Sequence, residues 1–407
     1  MSTKYYYGSA VYGEIYDWNK IFKLYDSLKI PDTCWKVKRE ALKSKYAVEI
    51  SERSIGKTTN VLLLGLCQRA LYNTQICYVR GTEDEFKPSD AKKLTEIIRS
   101  YDGGRYVKQL THDKYNTIVY KAKAFYYAYM NEEGEIEKKD PEECIKVLTV
   151  DRNIDYKSTL NMPKGDFFVY DEFVRKHYAP DEFVDWCDLF KTVARDRLSP
   201  VIFMLANSIS TVCPYYGEME IRKEIRTLKA GDSMSLTTEG GTKIFLERCT
   251  LPTKAKEKRS FFNSMFLGFK NEKLGAITGG QLWALPKVPH LYRREEGDEP
   301  LYLYRNLYIK HEGELLRVDI VLDSAEGLHL EVVPGRNAKE DSVILTSSVP
   351  EAKNEVFALG GRQSRIRKVL MQCINGCKVF YSTNDEGAIF RSFIERSILL
   401  EKNPLNY

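Results

Sequence analysis

The stretch VEISERSIGKTTNVLLL, residues 48–64, constrains the fold more than any other part of this chain. An apolar run ends at Ile50, a short polar loop carries Gly56-Lys57-Thr58, and a second apolar run follows at once. The phosphate-cradling loop of P-loop NTPases has the pattern G-x-x-x-x-G-K-[ST] between a strand and a helix. Backbone N–H groups of such a loop, and of the helix it opens, bind phosphate by hydrogen bonds and dipole. In that role Ser51, Arg53, Ser54, Ile55, Gly56, Lys57, Thr58 and Thr59 would surround the nucleotide. Lys57 would reach the β- and γ-phosphates and Thr58 would bind Mg²⁺. The first glycine of the pattern is absent: Ser51 stands there, so Ser51 and Ser54 must take loop conformations that glycine reaches most easily. A Gly-Lys-Thr alone also suits an exposed lysine at a helix start, so the stretch needs corroboration.

FFVYDE, residues 167–172, supplies it. Four apolar residues end in Asp171-Glu172. An acid at the end of a strand in such a sheet holds magnesium, and an adjacent glutamate can polarise the attacking water. The other reading is an acid pair at a helix N-terminus. The next apolar run, PVIFMLANS at 200–208, ends in Asn207, which would sit beside the γ-phosphate or simply form a turn. TVARDRLSP at 192–200 places Arg195 and Arg197 between a helix and that strand. Either is a solvated helix-end cation or an arginine finger for a neighbouring subunit.

Around these motifs the periodicity predicts helices over 18–29, 35–45, 58–72, 88–101, 180–194 and 218–228. Strands fall at 46–50, 75–80, 165–172 and 200–208, and 115–150 reads as a β insertion. Strand–loop–helix–strand order is the start of a parallel α/β sheet. The pattern stops at 228. Residues 229–260 are rich in Gly, Ser, Thr and Lys and read as a linker crossed by one apolar strand, KIFLERCTL. From 261 the chain reads as strands with tight turns, closed by a helix near 385–401. The expected organisation is an ATPase-like domain over 1–228, a linker over 229–260 and a C-terminal domain over 261–407.

Composition adds limits. The 407 residues are 43% hydrophobic and 29% charged, enough apolar content for sizeable cores. A net charge of +5 permits contact with a phosphate backbone without requiring it. Nine scattered Cys, most inside apolar runs, read as buried reduced thiols. There is no signal-peptide core, and no apolar run approaches the ~20 residues of a membrane span. The expectation is a soluble intracellular protein with no membrane partner.

Taken together, SERSIGKT, ICYVR, FFVYDEFVR, TVARDR, LANSIS and CPYY resemble, in order and spacing, the genome-packaging ATPases (encapsidation proteins) of small short-tailed bacteriophages. The match runs from Tyr46 to Tyr216. The resemblance implies an additional-strand, RecA-like P-loop ATPase using ATP and Mg²⁺. Lys57 and Thr58 match the family's phosphate-loop residues, Asp171 the magnesium acid, Glu172 the catalytic glutamate and Asn207 the strand-tip Asn. Arg195 matches the arginine that acts in trans. Members form a homo-oligomeric ring, typically a pentamer, at the portal vertex of an empty capsid, within the infected host's cytoplasm, and drive double-stranded DNA inward. Several use a structural RNA. Arg53, a cation inside the loop, would report nucleotide state to a neighbour. Relatives carry a basic residue near the position of Glu83, which this chain lacks.

The C-terminal half resembles a degenerate ribonuclease-H-like nuclease. Asp319 and Asp323 lie two pleats apart and face alike, with no third acid partner, so the domain reads as a non-catalytic docking and DNA-contact module. Lys254, Lys256, Lys258, Arg259, Arg362, Arg365, Arg367 and Lys368 are phosphate-contact candidates or solvated surface. Two alternatives stay open: another nucleic-acid helicase or translocase, and a catalytically dead nucleic-acid-binding scaffold.

Overall fold

Apolar runs without alternation need cover on both faces, and the computed structural model provides it in a ten-stranded mixed sheet. The structure describes all residues except 1–2, 8–9, 52–54, 176–177, 179–181, 196, 208–212, 268–287, 292–298, 348–349, 358–364 and 403–407. Arg53, Ser54, Ser208 and Arg362 lie outside the described residues, as do the side chains of Lys254, Arg259 and Arg365. The chain divides into two units, Met1–Ile209 with Arg226–Leu282, and Ser210–Ile225 with Trp283–Tyr407.

The first unit opens with a hairpin, β1 (Thr3–Tyr7) and β2 (Ala10–Ile15), and helix α1 (Trp18–Ser27). Then come β3 (Tyr46–Ser51), α2 (Lys57–Tyr72), β4 (Gln75–Arg80) and α3 (Pro88–Ser100). After α4 (Arg105–Leu110) the insertion forms β5 (Thr117–Lys121), β6 (Ala124–Met130), β7 (Ile136–Lys139) and β8 (Ile145–Thr149). A short helix α5 (Asn153–Thr159) leads to β9 (Gly165–Asp171), α6 (Glu182–Ala194) and β10 (Val201–Ala206). The sheet order is β5-β6-β8-β4-β9-β10-β3, and the run from β8 to β3 is parallel. Helix α2 is apolar nearly all round and is buried accordingly. A Cβ on Gly65 would lie 2.8 Å from Ile76 and Phe167 side-chain carbons, so glycine there lets α2 lie close on β4 and β9.

Several expectations are corrected. Residues 35–45 form no α-helix: only a 3₁₀ turn spans Arg39–Lys43. Residues 218–228 form not one helix but the last residue of α7 (Pro214–Glu218) and a separate short helix, α8 (Arg222–Thr227). The linker reading of 229–260 fails. That segment holds β11 (Ser233–Thr237) and β12 (Lys243–Cys249), and β12 pairs in parallel with β3, extending the sheet beyond the Gly-Lys-Thr strand. The apolar strand read inside it is thus a member of the main sheet, with Ile244, Phe245 and Leu246 fully buried. Residues read as linker and strand continue as one helix, α9 (Thr253–Leu267).

In the second unit a six-stranded sheet contains β13 (Leu301–His311), β14 (Glu314–Asp323), β15 (Gly327–Pro334), β16 (Val343–Thr346), β17 (Glu355–Phe357) and β18 (Val379–Tyr381). Its order is β17-β16-β13-β14-β15-β18, an antiparallel meander flanked by parallel strands. Helices α10 (Arg365–Asn375) and α11 (Asn384–Lys402) contribute Leu370, Cys373, Phe390 and Phe393 to its core.

Candidate functional site

Strands of a parallel sheet deliver their C-terminal residues to one edge, where ligands bind in open α/β folds. At this edge β3 ends in Ser51, β4 in Arg80, β9 in Asp171 and β10 just before Asn207. Helix α2 starts among them. Its N-cap, Gly56, has φ 88°, a left-handed conformation that glycine adopts without penalty. The Asn60 side chain donates to the Gly56 carbonyl at 2.8 Å and pins the turn.

Lys57 is buried, 4% exposed, and does not project into solvent. Its ammonium donates to Ser51 Oγ and, at 3.0 Å, to Asn207 Oδ1. Burial lowers its pKa, against the raising influence of Cys249, Asp171 and Glu49. Ser51, standing where the pattern has glycine, thus supplies an acceptor for the lysine. Thr58 donates to Asp171 Oδ2 at 3.1 Å, and Tyr78 donates to the same oxygen at 2.8 Å. Burial raises the pKa of Asp171, while Arg80 and the Tyr78 hydroxyl pull it back.

Glu172, one residue past the strand, has φ 55°. A non-glycine residue there costs about 1–2 kcal/mol, and the turn aims its carboxylate along the strand ends. Arg80 Nη2 donates to Glu172 Oε2 at 2.6 Å and Asn207 Nδ2 to Oε1 at 3.3 Å. Arg80 also lies 4.0 Å from Asp171 and 3.9 Å from Glu85. Although burial opposes it, Tyr78, Asp171 and Glu172 hold the Arg80 guanidinium above its usual pKa. Glu85 in turn accepts from Arg175 at 2.6 Å, and Arg175 pairs with Glu182 at the start of α6. Beside Thr58 and Asp171 opens a cleft of about 390 Å³, walled by Tyr78, Arg80, Phe86 and Lys93.

The structure therefore brings together Ser51, Gly56, Lys57, Thr58, Asp171, Glu172 and Asn207, with Ile55 and Thr59 on the same loop and helix start. It does not bring Arg195 there. Arg195 follows α6 and donates to the Leu160 carbonyl at 3.1 Å. Arg197 binds Asp166 at 2.8 Å and the Gly165 carbonyl at 3.0 Å, at the opposite end of β9 from Asp171. Seven residues of strand put that end about 20 Å from Asp171. Tyr78, Arg80, Glu85 and Arg175 escaped the sequence reading. The signal available was ICYVR, an apolar strand that ends in a cation.

The basic candidates divide. Lys256 and Lys258 on α9 and Lys368 on α10 are exposed, and Arg367 is half-buried. Asp319 is not an open metal ligand: Arg317 clasps it with two hydrogen bonds of 3.0 Å. All nine cysteines are free thiols and six are buried. Among the described residues no helix is long and apolar enough to cross a membrane.

Comparison with solved structures gives the fold a counterpart. The chain is similar to the Phi-28 gp11 DNA packaging motor, at 15% identity and TM-score 0.52, covering 90% of this chain and 98% of that one. It is similar also to the bacteriophage Phi-29 viral genome packaging motor assembly, at 16% identity and TM-score 0.52, covering 89% and 99%. No protein-family model matches the sequence, and no curated protein matches it significantly. Both units thus share their fold with viral DNA-packaging motor proteins.

Proposed function

We propose that the chain is an ATP-driven motor that moves double-stranded viral DNA into a preformed capsid. The observation that carries this reading is the convergence of Lys57, Thr58, Asp171, Glu172 and Asn207 on one loop. The shared fold with packaging motors supports it.

The donor set fits a magnesium nucleotide. Thr58 Oγ1 and Asp171 Oδ2 are hard oxygens at the phosphate side of the loop, and Mg²⁺ is held by one or two such groups with phosphates and water. Among the described residues no three His, Cys, Asp or Glu are grouped to hold a metal by themselves, so magnesium is expected to arrive with the nucleotide. When bound it neutralises charge on the phosphoryl oxygens.

The chain's own residues do the rest. The Lys57 ammonium exchanges its Ser51 and Asn207 partners for phosphate oxygens, at little cost because it is already desolvated and paired. Glu172 takes the proton of the attacking water once Arg80 releases it. Asn207, bonded to both Lys57 and Glu172, links phosphate occupancy to the base. Arg195 lies too far from its own site and serves a neighbouring subunit in a ring, typically a pentamer, at the portal vertex, with a structural RNA as a further docking partner. Arg53 reports nucleotide state to that neighbour. The second unit serves docking and DNA contact and is not a nuclease. DNA contacts of this kind are to the backbone and salt-sensitive.

The decisive measurement is ATP hydrolysis with and without duplex DNA in the wild type and in Glu172→Gln. The expected result is DNA-stimulated turnover that the variant abolishes while retaining nucleotide binding. Equal turnover in the variant would sink the assignment.

A further inference from the structure

Two acids that take no part in the proposed chemistry lie behind the phosphate loop. Glu49 on β3 and Glu247 on β12 are partners in register. Residues opposite one another on neighbouring strands send their side chains to the same face of the sheet, with the strands roughly 4.8 Å apart. Glu49 is 0% exposed and Glu247 2%. Two residues further along the same face stand Ser51, which accepts from Lys57, and its register partner Cys249.

The two acids are not equally provided for. Glu247 Oε1 accepts from Trp35 Nε1 at 3.2 Å and lies 3.2 Å from Lys38 Nζ. Its Oε2 and both oxygens of Glu49 are buried without a hydrogen-bond partner among the described residues. The charged and titratable groups that bear on the pair are Tyr25 from α1, Lys38 and Glu40 from the segment after it, Lys57 from α2 and Cys249 from β12. The Tyr25 hydroxyl is given to Asn60, and the Lys57 ammonium to Ser51 and Asn207. Burial holds the Cys249 thiol well above its ordinary pKa, so it adds no charge at neutral pH. Two neighbouring carboxylates in a buried site cannot both stay ionised, because desolvation and mutual repulsion each favour a proton on one of them. Burial and then Glu247 raise the pKa of Glu49, and burial raises that of Glu247 while Trp35 and Lys38 pull it back. The proton therefore belongs on Glu49, the acid with no donor of its own.

We propose that Glu49 is protonated at neutral pH and donates a hydrogen bond to Glu247 Oε2, so that the pair carries one negative charge. Two buried atoms that would each be costly alone then satisfy one another. Lys38 balances the remaining charge, and Lys57 keeps its own for phosphate. A doubly ionised pair would set a second anion behind the loop, drawing on Lys57 and repelling the nucleotide. Glu49 is thus a positioning residue that acts through Lys57. The charge state of the pair stands by itself, and its consequence for Lys57 rests on the nucleotide-binding reading of the loop.

The experiment compares the full-length wild type with Glu49→Gln, whose amide has the shape and polarity of a protonated acid. Infrared difference spectra at pH 7 should show in the wild type the carbonyl stretch of one protonated carboxyl that the variant lacks. The folded wild type then holds a proton that the unfolded chain releases above about pH 4.3. Its stability should therefore fall more steeply than that of Glu49→Gln as pH rises from 5 to 8, measured as urea midpoints. ATP affinity at pH 7 should agree within about twofold, since one neutral group replaces another. Deleting an ionised Glu49 would instead raise it about tenfold or more. A difference spectrum with carboxylate bands alone, parallel pH slopes, a rise in ATP affinity of that size, or a variant that does not fold overturns the protonated pair. Absence of ATP binding in the wild type overturns the reading of the loop instead, and leaves the infrared and urea results to decide the pair.

Discussion

Glu172 accepts hydrogen bonds from Arg80 and Asn207 at once, and a carboxylate so engaged is a poor acceptor for a water proton. In the proposed mechanism, the resting geometry thus holds the base away from its work. Replacing Arg80 with Gln removes the charge-assisted bond and leaves Asn207 to orient the carboxylate. DNA-independent ATP turnover should rise severalfold in Arg80→Gln and the stimulation by duplex DNA should shrink. Steady-state hydrolysis with and without DNA checks this, and a variant with unchanged basal rate and stimulation would make Arg80 a scaffold cation only. Lys57, Thr58, Asp171, Glu172 and Asn207 were legible in the sequence because each ends an apolar run or opens a helix beside a recognisable neighbour. Arg80 and Tyr78 were not, because their partner is set by β4 lying next to β9, and strand order is a tertiary fact. Ser51 looked like a defect in the motif. Its value as a lysine acceptor is visible only once Lys57 is seen to be buried.

At the level of elements, β12 shows where local composition misleads. Gly, Ser, Thr and Lys on both sides of KIFLERC mark turns, and turns mark linkers as readily as strand ends. What decides is the partner: β3 offers an open parallel edge, and β12 takes it with Phe245 only 1% exposed. Phe245→Ala should cost about 3–5 kcal/mol of stability, measured as a shift in denaturant midpoint. A cost under about 0.5 kcal/mol, the size of a surface change, would restore the linker reading. The second unit hides a different element-level device. His311, the last residue of β13, is buried between Ser347 Oγ at 2.6 Å and Ser392 Oγ at 2.9 Å. Burial, reinforced by Arg396 and Arg222, lowers its pKa to about 3. The folded ring is therefore neutral where the unfolded ring, at about 6.5, takes up a proton. Its stabilisation is complete above about pH 6.5 and is lost as pH falls toward 3, amounting to a few kcal/mol. Urea midpoints measured from pH 7 to pH 4 should fall less steeply for His311→Gln than for wild type. Parallel slopes would assign the acid sensitivity to other groups.

On the scale of the whole molecule, the buried cations described at the strand ends are already engaged. Lys57 is committed to the loop and Arg80 to Glu172, and Arg197 is tied to Asp166 and the Gly165 carbonyl. Arg195 donates to the Leu160 carbonyl, at the far end of the sheet from its own site. Under the proposed trans role, a charge so placed would complete the site of another copy. That makes Arg195 a test of assembly as well as of catalysis. Arg195→Ala and Glu172→Gln should each abolish DNA-stimulated turnover when pure, the first by failing its neighbour and the second by failing itself. Mixed, they should recover. A ring that holds both variants contains interfaces where an intact Glu172 faces an intact Arg195, and these interfaces are most frequent near equal proportions. Activity plotted against mixing ratio should then rise from zero at both ends to a maximum between them. If Arg195 acted within its own chain, every subunit in every mixture would carry one lesion and the plot would stay flat. Since Arg195→Ala could instead prevent ring formation, the mixtures must be sized by light scattering, and a flat plot from intact rings would remove Arg195 from the catalytic set.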